Sequence, residues 1–230
     1  MAGNERRKAE RAAASRLYPS ITHPSWLILR ARRKIFGKWL AGAAARGALR
    51  VLDVGGKEQP YRPLIAGPVA QYLSVDIQHA GLVDCVADAA HLPFEDGSFD
   101  LVICAQVLEY PPNPYRVISE IHRVMKPDAV LLLSVPALFP QEHDGDRWRF
   151  LPGAISDLTQ DFRSVEIVPE LGSAASLLRT IAVWLWRISW FKPIAMVSLI
   201  PPINLMGFLM ESTGQRNTAF CANYSVRAVK

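Results

Sequence analysis

Three acids and a pair of glycines stand at the spacing of a nucleoside site. The run Val51-Leu52-Asp53-Val54-Gly55-Gly56 is apolar, then acidic, then glycine, the pattern of a buried strand turning into a ligand-binding loop. Glycine admits positive φ and lets a ligand come close to the backbone. Roughly 20 residues on, Tyr72-Leu73-Ser74-Val75-Asp76 is a second buried run ending in an acid, and a carboxylate there can accept both hydroxyl protons of a ribose. A third acid, Asp88, precedes Leu92-Pro93-Phe94-Glu95-Asp96-Gly97-Ser98-Phe99-Asp100. The dinucleotide fingerprint is missing, because Lys57-Glu58-Gln59-Pro60 follows Gly56 and no third glycine opens a long helix. The pattern points to a nucleoside held without a pyrophosphate cradle and away from a nicotinamide-dependent oxidoreductase.

Positioning these acids requires an open sheet. Apolar runs predict strands at 49–54, 71–77, 83–87, 99–105, 129–135, 163–168 and 219–229, with helices around 60–66, 89–91, 113–126 and 152–161. Alternation of this kind gives an α/β fold, a doubly wound, mostly parallel seven-stranded sheet. Gly67-Pro68 cuts the first core helix short. The chain divides into a basic helical extension at 1–48 and a domain at 49–230 that carries an apolar insertion at 173–213.

Charge is unevenly spread. Residues 1–50 hold 12 Lys and Arg against 2 Glu, whereas the other 180 residues hold 14 against 19 acids. The basic character therefore belongs to the extension. Residues 4–17 read as an alanine-rich basic helix or a frayed tail. Ser25 can cap a helix running to about residue 45, on which Trp26, Leu29, Arg33, Phe36 and Leu40 recur at helical spacing. Taken alone, that helix is expected to pack on the sheet edge with a solvated basic face; drawn to a membrane, it would meet anionic headgroups. Arg6, Arg7, Lys8 and Arg11 precede no apolar stretch of the kind a secretory signal has, so a cytoplasmic chain is expected. Cys85, Cys104 and Cys221 lack paired spacing and read as free thiols, and no metal-ligand spacing occurs.

The insertion has no charged residue between Pro193 and Met210, and Trp184, Trp186 and Trp190 lie before or near its middle. Pro201 and Pro202 interrupt what would otherwise approach a membrane span. Two short apolar helices forming a shallow hairpin in the membrane face are expected, the alternative being a lid or a dimer surface.

Taken together, the segments resemble a class I S-adenosylmethionine-dependent methyltransferase of the type-11 kind. The resemblance rests on the glycine motif, on Ala87-Asp88-Ala89-Ala90-His91-Leu92-Pro93-Phe94 with Gly97-Ser98-Phe99-Asp100, on Val107-Leu108-Glu109-Tyr110 and on Arg123-Val124-Met125-Lys126-Pro127. It is strongest to a subgroup with Gln59-Pro60-Tyr61-Arg62 and His143-Asp144-Gly145-Asp146-Arg147-Trp148-Arg149, whose members look like enzymes of glycans, glycolipids or secondary metabolites. The chain departs from the family at Lys57, where a glycine is usual, and at Tyr110, where a histidine is usual. A lysine there can crowd the cofactor or pair with its carboxylate.

The resemblance implies S-adenosyl-L-methionine as cofactor and an antiparallel last strand beside the fifth. It places Asp53, Gly55 and Gly56 at the methionine part, Asp76 at the ribose, and Asp88 and Ala89 at the adenine. Gln106 and Val107 would line the floor between cofactor and acceptor. His143, flanked by Asp144 and Asp146, is a candidate base for a hydroxyl acceptor, with ordering of its loop as the competing role. Arg147 and Arg149 could hold an anionic group, and Glu109 and Tyr110 could shape the acceptor pocket. The expected function is O-methylation of a glycan, glycolipid or secondary metabolite, a small-molecule or lipid-linked acceptor, at an anionic membrane surface. The alternative is an inactive methyltransferase fold used as a binding or scaffold module. Nucleic acid ranks below these acceptors, because no aromatic-basic stacking platform accompanies the basic extension.

Overall fold

The computed structural model describes residues 2–42, 47–141, 144–188, 192–212 and 217–230. Seven strands form one sheet in the order β3-β2-β1-β4-β5-β7-β6. They are β1 Leu49–Val54, β2 Val69–Asp76, β3 Cys85–Val86, β4 Phe99–Ala105, β5 Met125–Pro136, β6 Ser164–Pro169 and β7 Asn223–Val229. β7 runs antiparallel to both neighbours, while β1 to β5 pair in parallel. The doubly wound fold and the antiparallel last strand are as the sequence led us to expect.

One face of the sheet is covered by α3 (Pro114–Val124) and α4 (Pro152–Leu158). Asn113 starts α3 by accepting from the backbone of Arg116 at 3.2 Å, and Pro114 fits the first turn because its missing N–H has no intrahelical role there. Val117, Ile118, Ile121 and Val124 then pack on Leu52, Val102, Leu131 and Val226.

The other face is covered differently from the expectation. The helix sought at 89–91 is a turn on the α3 side, and the one sought at 60–66 is only a 3-10 turn at Arg62–Leu64 on this face. Prolines at 60, 63 and 68 leave too few backbone donors there for an α-helix. The vacancy on that face is filled by the extension. Helix α2 (Trp26–Ala41) lays Phe36 and Leu40 on Val51, Leu101 and Ile103, so it packs on the sheet face and not its edge. Its buried residues are Leu27, Ile28, Arg32, Phe36 and Leu40, a stripe rotated from the one expected through Trp26, Leu29 and Arg33.

Arg32 is tolerated inside because Glu170, just after β6, pairs with it. Nε and Nη2 donate to the two carboxylate oxygens at 2.8 and 3.1 Å, with Arg32 4% and Glu170 1% exposed. Ser134 and Ser225 add hydroxyl donors to the same carboxylate at 2.6 and 2.8 Å. The guanidinium pKa is pushed upward by this pairing, against the opposing effect of its own burial.

The insertion forms α5 (Ser173–Arg187) and a second helical run, α6 (Lys192–Ile194), a π-helical stretch Ala195–Leu199 and α7 (Ile200–Ser212). The connecting residues 189–191, with Trp190, lie outside the described residues. The π turn sits directly before Pro201 and Pro202, where an α-helical ladder would clash with the proline rings. Helix α7 faces the protein with its polar groups. Asn204 donates to the carbonyls of Ile21 and His23 at 2.7 and 3.0 Å, and Glu211 accepts from the backbone of Gly172 at 2.6 Å. A methyl group on Gly207 would sit 2.6 Å from Leu27, so α7 and α2 touch closely.

Removing one partner of the buried ion pair should be severe. Arg32→Met leaves Glu170 uncompensated and is expected to lower unfolding free energy by about 3–5 kcal/mol in chemical denaturation. A loss below about 1 kcal/mol would mean that the pair does not hold α2 in place.

Candidate active site

The carboxyl edge of the parallel strands holds two adjoining cavities, the place where open α/β sheets bind ligands. The larger, about 580 Å³, is lined by Asp53, Gly55, Asp76, Asp88, Ala89, Gln106 and Val107, among others. Seven of the eight residues assigned to the cofactor thus meet in one cavity. Gly56 does not line it. A Cβ there would strike the carbonyl and carboxyl of Asp53 at 2.7–2.8 Å, so Gly56 packs beneath the loop.

The loop geometry follows from its contacts. Gly55 has φ +75°, which strains any other residue, and its missing side chain makes room for Val107. The amides of Gly55 and Gly56 both donate to the Val75 carbonyl, at 2.7 and 3.2 Å, which ties the loop to the end of β2. Gln59, buried, donates to Ser74 Oγ at 3.1 Å and accepts from Arg62 at 3.0 Å. Arg62 in turn lies 4.7 Å over the Tyr72 ring, and the Tyr72 hydroxyl donates to Asp53 at 2.6 Å. The Gln59-Pro60-Tyr61-Arg62 motif therefore positions Asp53 through Tyr72.

Asp53 is 4% exposed. Burial pushes its pKa up to about 7; the Tyr72 hydrogen bond opposes this and the charge of Asp76 adds to it. Asp76 accepts from the backbone of Gln78 at 2.9 Å through one oxygen, and its other oxygen has no partner among the described residues. Asp88 accepts from Ala90 N at 2.9 Å, which closes a turn and presents Ala89 to the cavity. Lys57 lines the cavity and donates to the Gln78 side chain at 3.2 Å.

The extension contributes to this site as well. Helix α1 (Ala2–Leu17) brings its Glu5 and Arg6 backbone against Gly81, while Arg16 meets Glu58 at 2.8 Å. It therefore reaches from the loop after β2 to the loop after β1, and Arg16 lines both cavities.

The second cavity, about 310 Å³, shares Arg16, Arg32, Gln106 and Tyr110 with the first. It is otherwise lined by residues including His23, Glu109, Phe139, Arg149, Arg179 and Trp186. Gln106 adopts φ +59° and bonds to Ser134 Oγ at 3.2 Å and to the Asn223 amide, so the wall between the cavities is fixed from β5 and β7. Arg149 is held by Asp146 at 2.6 and 2.7 Å and by the Phe139 carbonyl at 2.9 Å, so it orders the loop after β5. Arg147 lines the larger cavity. His143 lies outside the described residues. Glu109 was noted from the sequence only as a possible wall of the acceptor pocket; the structure buries it at 4% exposure, and the sequence signal for that was a lone acid in the otherwise apolar Val107-Leu108 turn. The cysteines are free, with Cys104 and Cys221 buried and Cys85 half-buried. Among the described residues no group of three or more His, Cys, Asp or Glu could hold a metal ion.

Residues 52–133 match the Methyltransferase domain family. An uncharacterized methyltransferase of Mycobacterium sp. (strain JLS) is 36% identical over 91 residues, 40% of this chain and 33% of the relative. A probable S-adenosylmethionine-dependent methyltransferase of Mycolicibacterium smegmatis is 32% identical over 109 residues, 46% of this chain and 36% of the relative. The chain spans about a third of the length of these curated relatives. Among solved structures, a SAM dependent methyltransferase from Archaeoglobus fulgidus shares the fold with a TM-score of 0.55 at 18% identity, covering 94% of this chain and 97% of its own. The [4+2]-cyclase SpnF also shares it, with a TM-score of 0.53 at 18% identity over 86% of this chain and 80% of its own. Sheet order, loop geometry and the family match over the first five strands converge: residues 52–133 match a methyltransferase domain, and the chain has the fold of S-adenosylmethionine-dependent methyltransferases.

Proposed function

We propose that the protein methylates a hydroxyl of a glycan, glycolipid or secondary-metabolite acceptor at a membrane surface, using S-adenosylmethionine. The observation that carries this reading is the pair of cavities sharing Gln106 and Tyr110 at the carboxyl edge. When bound, the cofactor supplies an electrophilic methyl group on a sulfonium. The larger cavity fits it in two respects: Asp76 keeps an oxygen open for a ribose, and Gly55 lets Val107 close against the loop that would hold the methionine part. Asp53 would face the cationic methionine part, and Asp88 with Ala89 the adenine. Acceptor and donor would then meet across the Gln106–Tyr110 opening, held in line and out of water, which is most of what this displacement requires. Against the scaffold reading, the cavity keeps about 580 Å³ with Lys57 in its wall.

The membrane part of the reading rests on an inverted helix. While Asn204 and Glu211 of α7 point inward, Leu205, Met206, Leu209 and Met210 are each about half exposed, and Leu177, Ile181 and Trp184 of α5 are exposed likewise. A water-facing helix has the opposite arrangement, and an apolar patch of this kind marks an interaction surface. Lys192–Ser212 is 21 residues long with a mean hydropathy of 1.7 in its most apolar window, of which 18% is buried. Beside it, α2 exposes Arg30, Lys34 and Lys38 one turn apart, and Arg30 lies 4.7 Å over the Phe208 ring. A basic stripe flanking an apolar face suits an anionic bilayer surface.

Three outcomes are expected. Asp76→Ala should weaken S-adenosylmethionine binding in calorimetry by roughly 1.5–3 kcal/mol for each ribose hydroxyl bond lost; unchanged affinity would remove Asp76 from the site. Cofactor affinity should also rise with pH up to about 7 and then level off, because Asp53 is protonated below its raised pKa and a cationic ligand favours its ionised form. Calorimetry in two buffers of different ionisation heat should show proton release below that pH in the parent but not in Asp53→Asn; pH-independent affinity in the parent would contradict it. Finally, the protein should float with anionic vesicles. Charge reversal at Arg30, Lys34 and Lys38 should weaken this by about 1 kcal/mol per residue at low salt, and failure of the parent to float would exclude the membrane surface.

A further inference from the structure

Glu109 is a buried acid whose Oε2 finds no hydrogen-bond donor among the described residues. Its backbone is pinned: the carbonyl accepts from Arg147 N at 2.7 Å and from Trp148 N at 3.1 Å. Its side chain is 4% exposed, lines the second cavity, and carries an oxygen, Oε2, with no hydrogen-bond partner among the described residues. Most buried polar atoms are satisfied, so such an oxygen marks a place where a donor arrives from outside the protein.

The charged groups around it do not neutralise it. Arg32 of α2 is committed to Glu170, and Arg149 of the loop after β5 is committed to Asp146. Asp146 adds a like charge, while Cys104 of β4 and the neighbouring Tyr110 carry no cation. Farther around the cavity stand Arg16 of α1, His23 of the α1–α2 loop, and Arg179 and Arg187 of α5. Burial prevails over the hydrogen bond from its own backbone amide and over the charges of Arg32 and Arg149, and pushes the carboxyl pKa up to about 7. A group near neutrality, in a cavity that shares Gln106 and Tyr110 with the cofactor cavity, is suited to take a proton there.

We propose that Glu109 is the general base of the methyl transfer, and that the methylated group is a hydroxyl that enters the second cavity and donates to Oε2. This rests on the methyltransferase reading above. In the step, the acceptor oxygen uses a lone pair to form the new bond to the methyl carbon as the carbon–sulfur bond breaks, with its electron pair staying on sulfur. The hydroxyl proton moves to Glu109 Oε2. The products are the methyl ether, neutral S-adenosylhomocysteine and protonated Glu109, which returns its proton to solvent.

The test uses the full chain, Glu109→Gln and Glu109→Asp. S-adenosylhomocysteine should bind all three within a few-fold, which reports an intact fold; if the parent does not bind it, the methyltransferase reading falls and takes this proposal with it. Difference infrared spectroscopy should show protonated-carboxyl bands that vanish with a midpoint of about 7, one of them missing in Glu109→Gln and the Asp53 band retained. With labelled S-adenosylmethionine and two surrogate acceptors, Glu109→Gln should lose roughly 10²–10⁴-fold on phenol, which must give up a proton. It should lose less than about tenfold on pentafluorophenol, which is already ionised. Glu109→Asp should keep part of the phenol activity, and the parent's rate on phenol should rise through about pH 7, a limb absent in Glu109→Gln. Equal losses on the two acceptors, unchanged turnover of phenol, no methylation of phenol by the parent, or no difference in the infrared bands would each overturn the proposal.

Discussion

A single buried ion pair holds this domain's site together. Arg32 comes from the basic extension and Glu170 from the end of β6, so their contact joins the extension to the carboxyl edge of the sheet. Ser134 of β5 and Ser225 of β7 complete the carboxylate's hydrogen bonds. Such a pair is poor at adding stability, since desolvation offsets most of the attraction, but it is intolerant of misplacement. It therefore sets the seating of α2, and α2 carries Arg32 into the wall of both cavities. The extension is thus a structural part of the site, filling the sheet face left open where the β1–β2 crossover has only a 3-10 turn.

From that seating follow two kinds of acid. Asp76 and Asp88 sit at the accessible rim of the larger cavity, each with one oxygen engaged in a local turn. Asp53 and Glu109 are withdrawn from water in the two cavities that share Gln106 and Tyr110, and burial brings both near neutrality. One sheet edge thereby offers open carboxylates for binding a polar ligand and buried ones that change protonation in the physiological range. The apolar hairpin departs from the same edge, so Val183 and Trp186 of α5 wall the second cavity while the outer faces of α5 and α7 remain apolar and exposed.

Much of this was legible in the sequence, and the reasons differ by element. Strands β1, β4 and β5 are buried on both faces and so appear as continuous apolar runs. Asp53, Asp76 and Asp88 were legible because the chain must end a strand or turn at each. The coverage of the second sheet face was not legible, because the helix expected at 60–66 falls where local prolines oppose it. The buried face of α2 was misread by a step around the helix, since an arginine in an apolar stripe looks like a surface residue until its partner 138 positions away is known. Arg123 shows a different limit. Its motif marked the family, yet its side chain clamps the preceding loop through Phe94 and Leu92 carbonyls at 2.8 and 2.9 Å, a structural task. Glu109 was hidden for a related reason, because burial and the lack of a donor are properties of the fold alone.

A crystal structure with S-adenosylhomocysteine would show whether the larger cavity is the cofactor site facing the second one. The ribose hydroxyls are expected within hydrogen-bonding distance of Asp76, the adenine beside Asp88 and Ala89, and the sulfur turned toward the opening, the place where Gln106 and Tyr110 line both cavities. Ligand density elsewhere, or a sulfur facing away from that opening, would contradict this assignment.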